Sequence, residues 1–130
     1  MKYMLLIYAK EDVLNDAERE DCYRKSSELC HQLASKGQFI SASPLQSVIT
    51  ATSVQVREGK RLVTDGPFAE TREQLGGYFM VDARNLDEAM DIAARIPAAT
   101  WGTVEVRPIV ELPHLPAEKN PSTDVETALR

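Results

Sequence analysis

The run Tyr3-Met4-Leu5-Leu6-Ile7-Tyr8 restricts the fold of this chain more than any other stretch, because its aliphatic and aromatic side chains fall on both parities. A strand sends successive side chains to opposite faces, so a strand of this composition needs cover on both. Gly76-Gly77-Tyr78-Phe79-Met80-Val81 repeats the pattern. Only two segments have helical periodicity to supply that cover. Asn15, with Glu18 three residues on, has the form of a capping box and starts a helix expected over about Asp16 to Lys36. Cys22, Ser26, Leu29, Cys30 and Leu33 fall within an arc of about 100° on it, whereas His31 points away. Gly37 supplies the left-handed residue that ends many helices. Asn85 with Glu88 repeats the cap ahead of a stripe of Leu86, Ala89, Met90, Ala93 and Ile96, which Pro97 stops.

Shorter strands are expected at Gln38–Ala42, Ala51–Val56, Arg61–Thr64 and Thr103–Arg107, with a hairpin turn at Arg57-Glu58-Gly59-Lys60. Strand, helix, several strands, helix, strand is the split βαβ plan, an α+β fold of ferredoxin-like type with an added hairpin or edge strand. Two helices cover one face of such a sheet. The doubly apolar strands then leave the second face to another subunit, so a homodimer is expected. The domain is expected over residues 1–112 and a tail with little regular structure, carrying Pro113, Pro116 and Pro121, over 113–130.

At 130 residues the chain has room for one core, and its net charge of −5 lacks the basic footprint of a nucleic-acid binder. No apolar run approaches the roughly 20 residues that cross a bilayer, and no cleavage site follows the first strand, so no membrane partner and a cytoplasmic location are expected. Cys22 and Cys30, eight residues apart on one helix, stand about 12 Å apart along its axis, too far for a disulfide. With His31 and His114 as its two histidines and no phosphate loop or paired-cysteine motif, the sequence calls for neither a metal nor a cofactor.

One segment has the makings of a site. In Asp65-Gly66-Pro67-Phe68, Pro67 pushes Gly66 toward an extended conformation, Asp65 can accept N–H bonds, and Phe68 can anchor the loop in the core. Glu70, Arg72 and Gln74 follow on alternate positions and could project into one cleft, with Asp65 as acid or base and Arg72 as anion holder. The same residues also fit a plain turn with a solvated Glu70–Arg72 pair contributing less than about 1 kcal/mol.

The Asp65-Gly66-Pro67-Phe68 block, the opening Lys2–Tyr8 and the closing Thr103–Pro108 together resemble the DGPF proteins, a branch of the YCII-related family, over about Met1 to Leu112. The resemblance implies a ferredoxin-like dimeric α/β barrel and no settled activity. The wider group is thought to place a His and an Asp in a cleft, and a few members resemble dechlorinating or lyase-type enzymes. Here Ser26 stands where that helical His would lie, a departure from the dyad. The function expected is a small-molecule binding protein or enzyme with a pocket beside Asp65, in which Ser26, Pro67, Phe68, Glu70, Arg72 and Gln74 touch the ligand. The alternative implied by the resemblance is a regulatory module partnering an extracytoplasmic-function sigma factor.

Overall fold

The chain runs β1 (Lys2–Ala9), α1 (Asp16–Ser35), β2 (Phe39–Pro44), β3 (Thr52–Arg57), β4 (Lys60–Asp65), β5 (Gln74–Asp82), α2 (Leu86–Arg95) and β6 (Thr103–Pro108), with 3-10 turns at Val48–Thr50 and Pro97–Thr100. This is a computed structural model, which describes residues 1–117. Most of the expected tail over 113–130 therefore lies outside the described residues. No helix in the described part is long and apolar enough to cross a membrane.

Four strands form an antiparallel sheet in the order β2-β5-β1-β6, which is the ferredoxin-like arrangement. The two doubly apolar strands, β1 and β5, occupy its centre and pair from Lys2 opposite Asp82 to Ala9 opposite Gln74. On one face Tyr3, Leu5, Phe79 and Val81 are buried beneath Leu29 and Leu33 of α1 and Ala89, Ile92 and Ile96 of the α2 region. On the other face Met4, Leu6, Tyr8, Tyr78 and Met80 are only half-buried, since no helix lies over them. Gly77 makes the β2–β5 pairing possible, because a Cβ there would stand 2.9 Å from the Ser43 carbonyl oxygen and 3.1 Å from Pro44 Cα.

The caps are those the sequence announces. The Asn15 side chain accepts from the Glu18 N–H at 2.8 Å while the Glu18 carboxylate accepts from the Asn15 N–H at 3.1 Å, and Gly37 follows α1 at φ +70°. The stripe of α2 is rotated from the expected one: Ile92 is buried, whereas Leu86 and Met90 are exposed. The core arc is centred on Ala89, Ile92, Ala93 and Ile96.

The added element is neither an edge strand nor part of the main sheet. β3 and β4 pair only with each other, as an arm with Thr52 opposite Asp65 and Arg57 opposite Lys60. Its two-residue turn has Glu58 at φ 52° and Gly59 at φ 76°, the mirror-image geometry that suits the twist of a hairpin. At the root, Gly66 adopts φ 112°, correcting the extended conformation expected ahead of Pro67. That backbone is open to glycine, and it is held by the Gly66 N–H donating to the Ala51 carbonyl and the Ser53 hydroxyl donating to the Gly66 carbonyl, both at 2.7 Å.

Candidate functional site

Along the inner face of α1 the residue type changes. Leu29 and Leu33 are buried at the C-terminal end, but Cys22 and Ser26 toward the N-terminus, and Cys30 between the two leucines, are half-buried. Small side chains on a helix that leans over a sheet leave volume where leucines would fill it. Ala42, Gly76 and Gly77 on the facing strands and Ala98 in the 3-10 turn are small as well. The result is a cleft of about 710 Å³ between α1, the ends of β1, β2 and β5, and the Pro97–Thr100 turn.

The cleft has an apolar floor of Ile7, Phe79 and Ile96, with Trp101 at one side, and a wall of hydroxyls and thiols from Cys22, Ser26, Ser27 and Cys30. Burial pushes the Cys22 thiol above its ordinary value, with a Ser26 hydrogen bond drawing it partly back, and burial likewise raises Cys30. Both are free thiols, and both stay protonated at neutral pH, soft lining groups rather than thiolate nucleophiles.

The mouth is built by the β1–α1 loop. The Arg19 guanidinium donates to the Glu11 and Leu14 carbonyls at 3.4 and 3.5 Å and to the Asp16 carboxylate at 3.2 Å, which holds the loop over the first turn of α1. The Glu11 carboxylate accepts from the Ser47 hydroxyl and the Val48 N–H, both at 2.7 Å. It ties the loop to the chain leaving β2 with one hydrogen bond to each oxygen.

A second, smaller hollow of about 470 Å³ lies at the root of the arm, walled by Tyr8, Leu45, Ala51, Pro67, Ala69 and Leu75. Leu45, Gln46 and Ser47 line both hollows and form the partition between them.

The residues singled out in the sequence are thus distributed over three places. Ser26 lies in the large cleft, and Pro67 and Gln74 line the small hollow. Asp65, Phe68, Glu70 and Arg72 line neither and are exposed. Phe68 is 80% exposed and does not anchor the loop in the core. Gln74 donates to the Thr71 carbonyl at 3.0 Å, which turns it back on its own loop. Trp101, by the sequence a packing residue that could also line a cleft, lines the large one. Glu11, Arg19, Cys22 and Cys30 carry no site assignment in the sequence; the signal for the two cysteines is the run of small residues at 22, 26 and 30 on a helix face where leucine is the usual choice. Among the described residues no three His, Cys, Asp or Glu side chains converge as metal ligands do.

The family model of the YCII-related domain matches residues 1–113. An uncharacterized protein, R00369 of Rhizobium meliloti (strain 1021), is 33% identical over 114 residues, which span 84% of this chain and 92% of that protein. Among solved structures, 5-chloro-2-hydroxyhydroquinone dehydrochlorinase (TftG) of Burkholderia phenoliruptrix AC1100, in complex with 2,5-dihydroxybenzoquinone, superposes with a TM-score of 0.55 at 14% identity, covering 88% of this chain and 98% of that one. Likeness at that identity establishes the shared fold.

Proposed function

The chain belongs to the YCII-related family, and on that footing we propose that it binds a small molecule in the cleft between α1 and the sheet. The observation that carries this is the cleft itself: about 710 Å³, within the ~300–1,000 Å³ usual for ligand sites, with an apolar floor and a few convergent hydroxyls and thiols. A ligand suited to it is flat and largely apolar, with one or two hydroxyl or carbonyl groups to meet Ser26 and Ser27. The fold hosts 2,5-dihydroxybenzoquinone in the dehydrochlorinase, which makes hydroxylated aromatic and quinoid compounds the first probes. Asp65, Glu70 and Arg72 have no part in this reading, because they stand outside the cleft. The sigma-factor alternative has no described feature favouring it.

The single tryptophan, Trp101, lines the cleft and reports on its occupancy. Titration with 2,5-dihydroxybenzoquinone and related phenols, followed by Trp101 fluorescence and calorimetry, is expected to show saturable binding. Ser26→Leu fills the cleft from its wall and should weaken that binding at least ~10-fold, the scale of one misplaced side chain in a tight pocket. Asp65→Asn should leave it unchanged. Binding that ignores Ser26→Leu but is lost in Asp65→Asn would move the site to the arm.

A further inference from the structure

On the other side of α1 from the large cleft, between the helix and the Arg95–Trp101 segment, runs a groove of about 730 Å³. Leu14, Cys22 and Trp101 line both the cleft and the groove, so the two abut beneath the N-terminal half of α1. None of the three is fully buried. Cys22 is the one of them that belongs to the helix, and its short side chain stands where a leucine would close the helix down onto the sheet.

The groove differs from the cleft in its charge. Its three carboxylates are already engaged: Glu18 accepts from the Asn15 N–H at 3.1 Å, Asp21 is paired with Arg24 at 2.6 Å and with Lys25 at 3.0 Å, and Glu28 is paired with Arg24 at 2.7 Å. Arg95 is placed differently. It ends α2, one residue before Ile96 of the cleft floor, and its guanidinium donates to the neutral side-chain oxygen of Gln32 at 2.8 Å. Among the described residues no carboxylate lies within 4 Å of it. Gln32 thus steadies the guanidinium on the groove wall and leaves most of its planar fork of N–H donors without a protein partner, a fork whose geometry matches a carboxylate. Between Arg95 and the cleft the groove offers Pro97 and Leu14, apolar surface against which methylene groups can lie.

We propose that the ligand of the cleft is an aromatic acid whose ring lies in the cleft and whose arm passes Cys22 and Trp101 into the groove, where its carboxylate meets Arg95. This rests on the reading of the cleft as a small-molecule site and adds to it the class of ligand, a hydroxylated ring with an anionic side arm. The ring supplies the apolar burial, and the arm supplies the charge that the cleft's own wall of hydroxyls and thiols does not call for.

The test is calorimetry on the full chain, comparing 2,5-dihydroxybenzoquinone and hydroquinone with the acids formed by giving hydroquinone a carboxylate on alkyl arms of increasing length, and with the neutral amides of those acids. One arm length is expected to bind at least ~10-fold more tightly than its amide, the scale of a hydrogen bond to a charged group, and shorter and longer arms more weakly. Arg95→Gln should remove that preference and leave the affinity for hydroquinone as it was. Gln32→Glu, which sets a carboxylate of the protein against the same guanidinium, should remove it with Arg95 still in place. Both positions are exposed, so the circular dichroism and melting temperature of the variants should match the wild type. If the quinone or hydroquinone binds but the acids show no preference over their amides, or a preference that survives both variants, the cleft stands and the acid arm is overturned. A preference that does not depend on arm length marks a charge felt through solvent and overturns it too. If none of the compounds binds, the reading of the cleft falls and the acid arm with it.

Discussion

The body and the arm of this protein are built from similar strands by opposite means. In the body, β1 and β5 exchange side chains with two helices, and Leu5, Leu33 and Val81 are wholly buried. In the arm every residue of β4 is exposed, although its ladder of six pairs is complete. What fixes the arm is backbone geometry: two positive-φ residues at the tip, one at the root, and the Ser53–Gly66 bond between its strands. Hydrogen bonding and turn chemistry can therefore set a conformation in one place while burial supplies the stability in another.

That contrast can be broken by mutation. Leu33→Ala should cost about 3 kcal/mol by transfer and cavity formation, lowering Tm by roughly 10 °C, whereas Val63→Ala in dilute protein should cost less than ~0.5 kcal/mol. Equal losses in a thermal melt would mean that the arm is packed as the body is. Next in size come the glycines. Gly77→Ala drives a Cβ against the Ser43 carbonyl in the body and should cost about 1–3 kcal/mol. Gly59→Ala meets nothing within 4 Å, so only its φ of 76° resists it, at about 1 kcal/mol. A larger loss at Gly59 than at Gly77 would reverse the comparison.

The smallest effect is titration of the body's thiols. Cys22 and Cys30 are held above their ordinary value by burial, so the unfolded chain gives up these protons first. Their contribution to stability is complete below the ordinary thiol range, near pH ~8.5, and is lost as pH rises through the raised folded values. Melting temperature should fall more steeply between about pH 7 and 9.5 in the wild type than in Cys22→Ala/Cys30→Ala. The same slope in both would remove the thiols from the account.

The same division explains what could be read in advance. Much of what local signals govern was legible: both caps, the end of α1 at Gly37, the hairpin turn, and the central place of the two doubly apolar strands; the face of α2 and the angle at Gly66 were not. The cleft was half legible. The stripe Cys22-Ser26-Cys30 announced a face turned to the sheet, but its smallness reads equally as close packing until the height of α1 above the sheet is known. The exposure of the Asp65 segment was not legible for a related reason. A rigid polar turn beside a phenylalanine has the composition of a pocket wall, and its surroundings depend on where the whole arm points. That direction is fixed at Gly66, by a backbone angle that Pro67 argued against.

The arm also bears on how the chain reaches its fold. β2 and β5 are neighbours in space but are separated by the whole excursion over residues 45–73, which must close before they can pair. A hairpin with a mirror-image turn forms within microseconds from purely local contacts. Once residues 52–65 have folded on themselves, roughly half of the excursion remains to be closed, a saving of ~0.6 kcal/mol in chain entropy. The ribbon thus shortens the detour between β2 and β5 before the centre condenses, and it does so without touching the core that it helps to assemble.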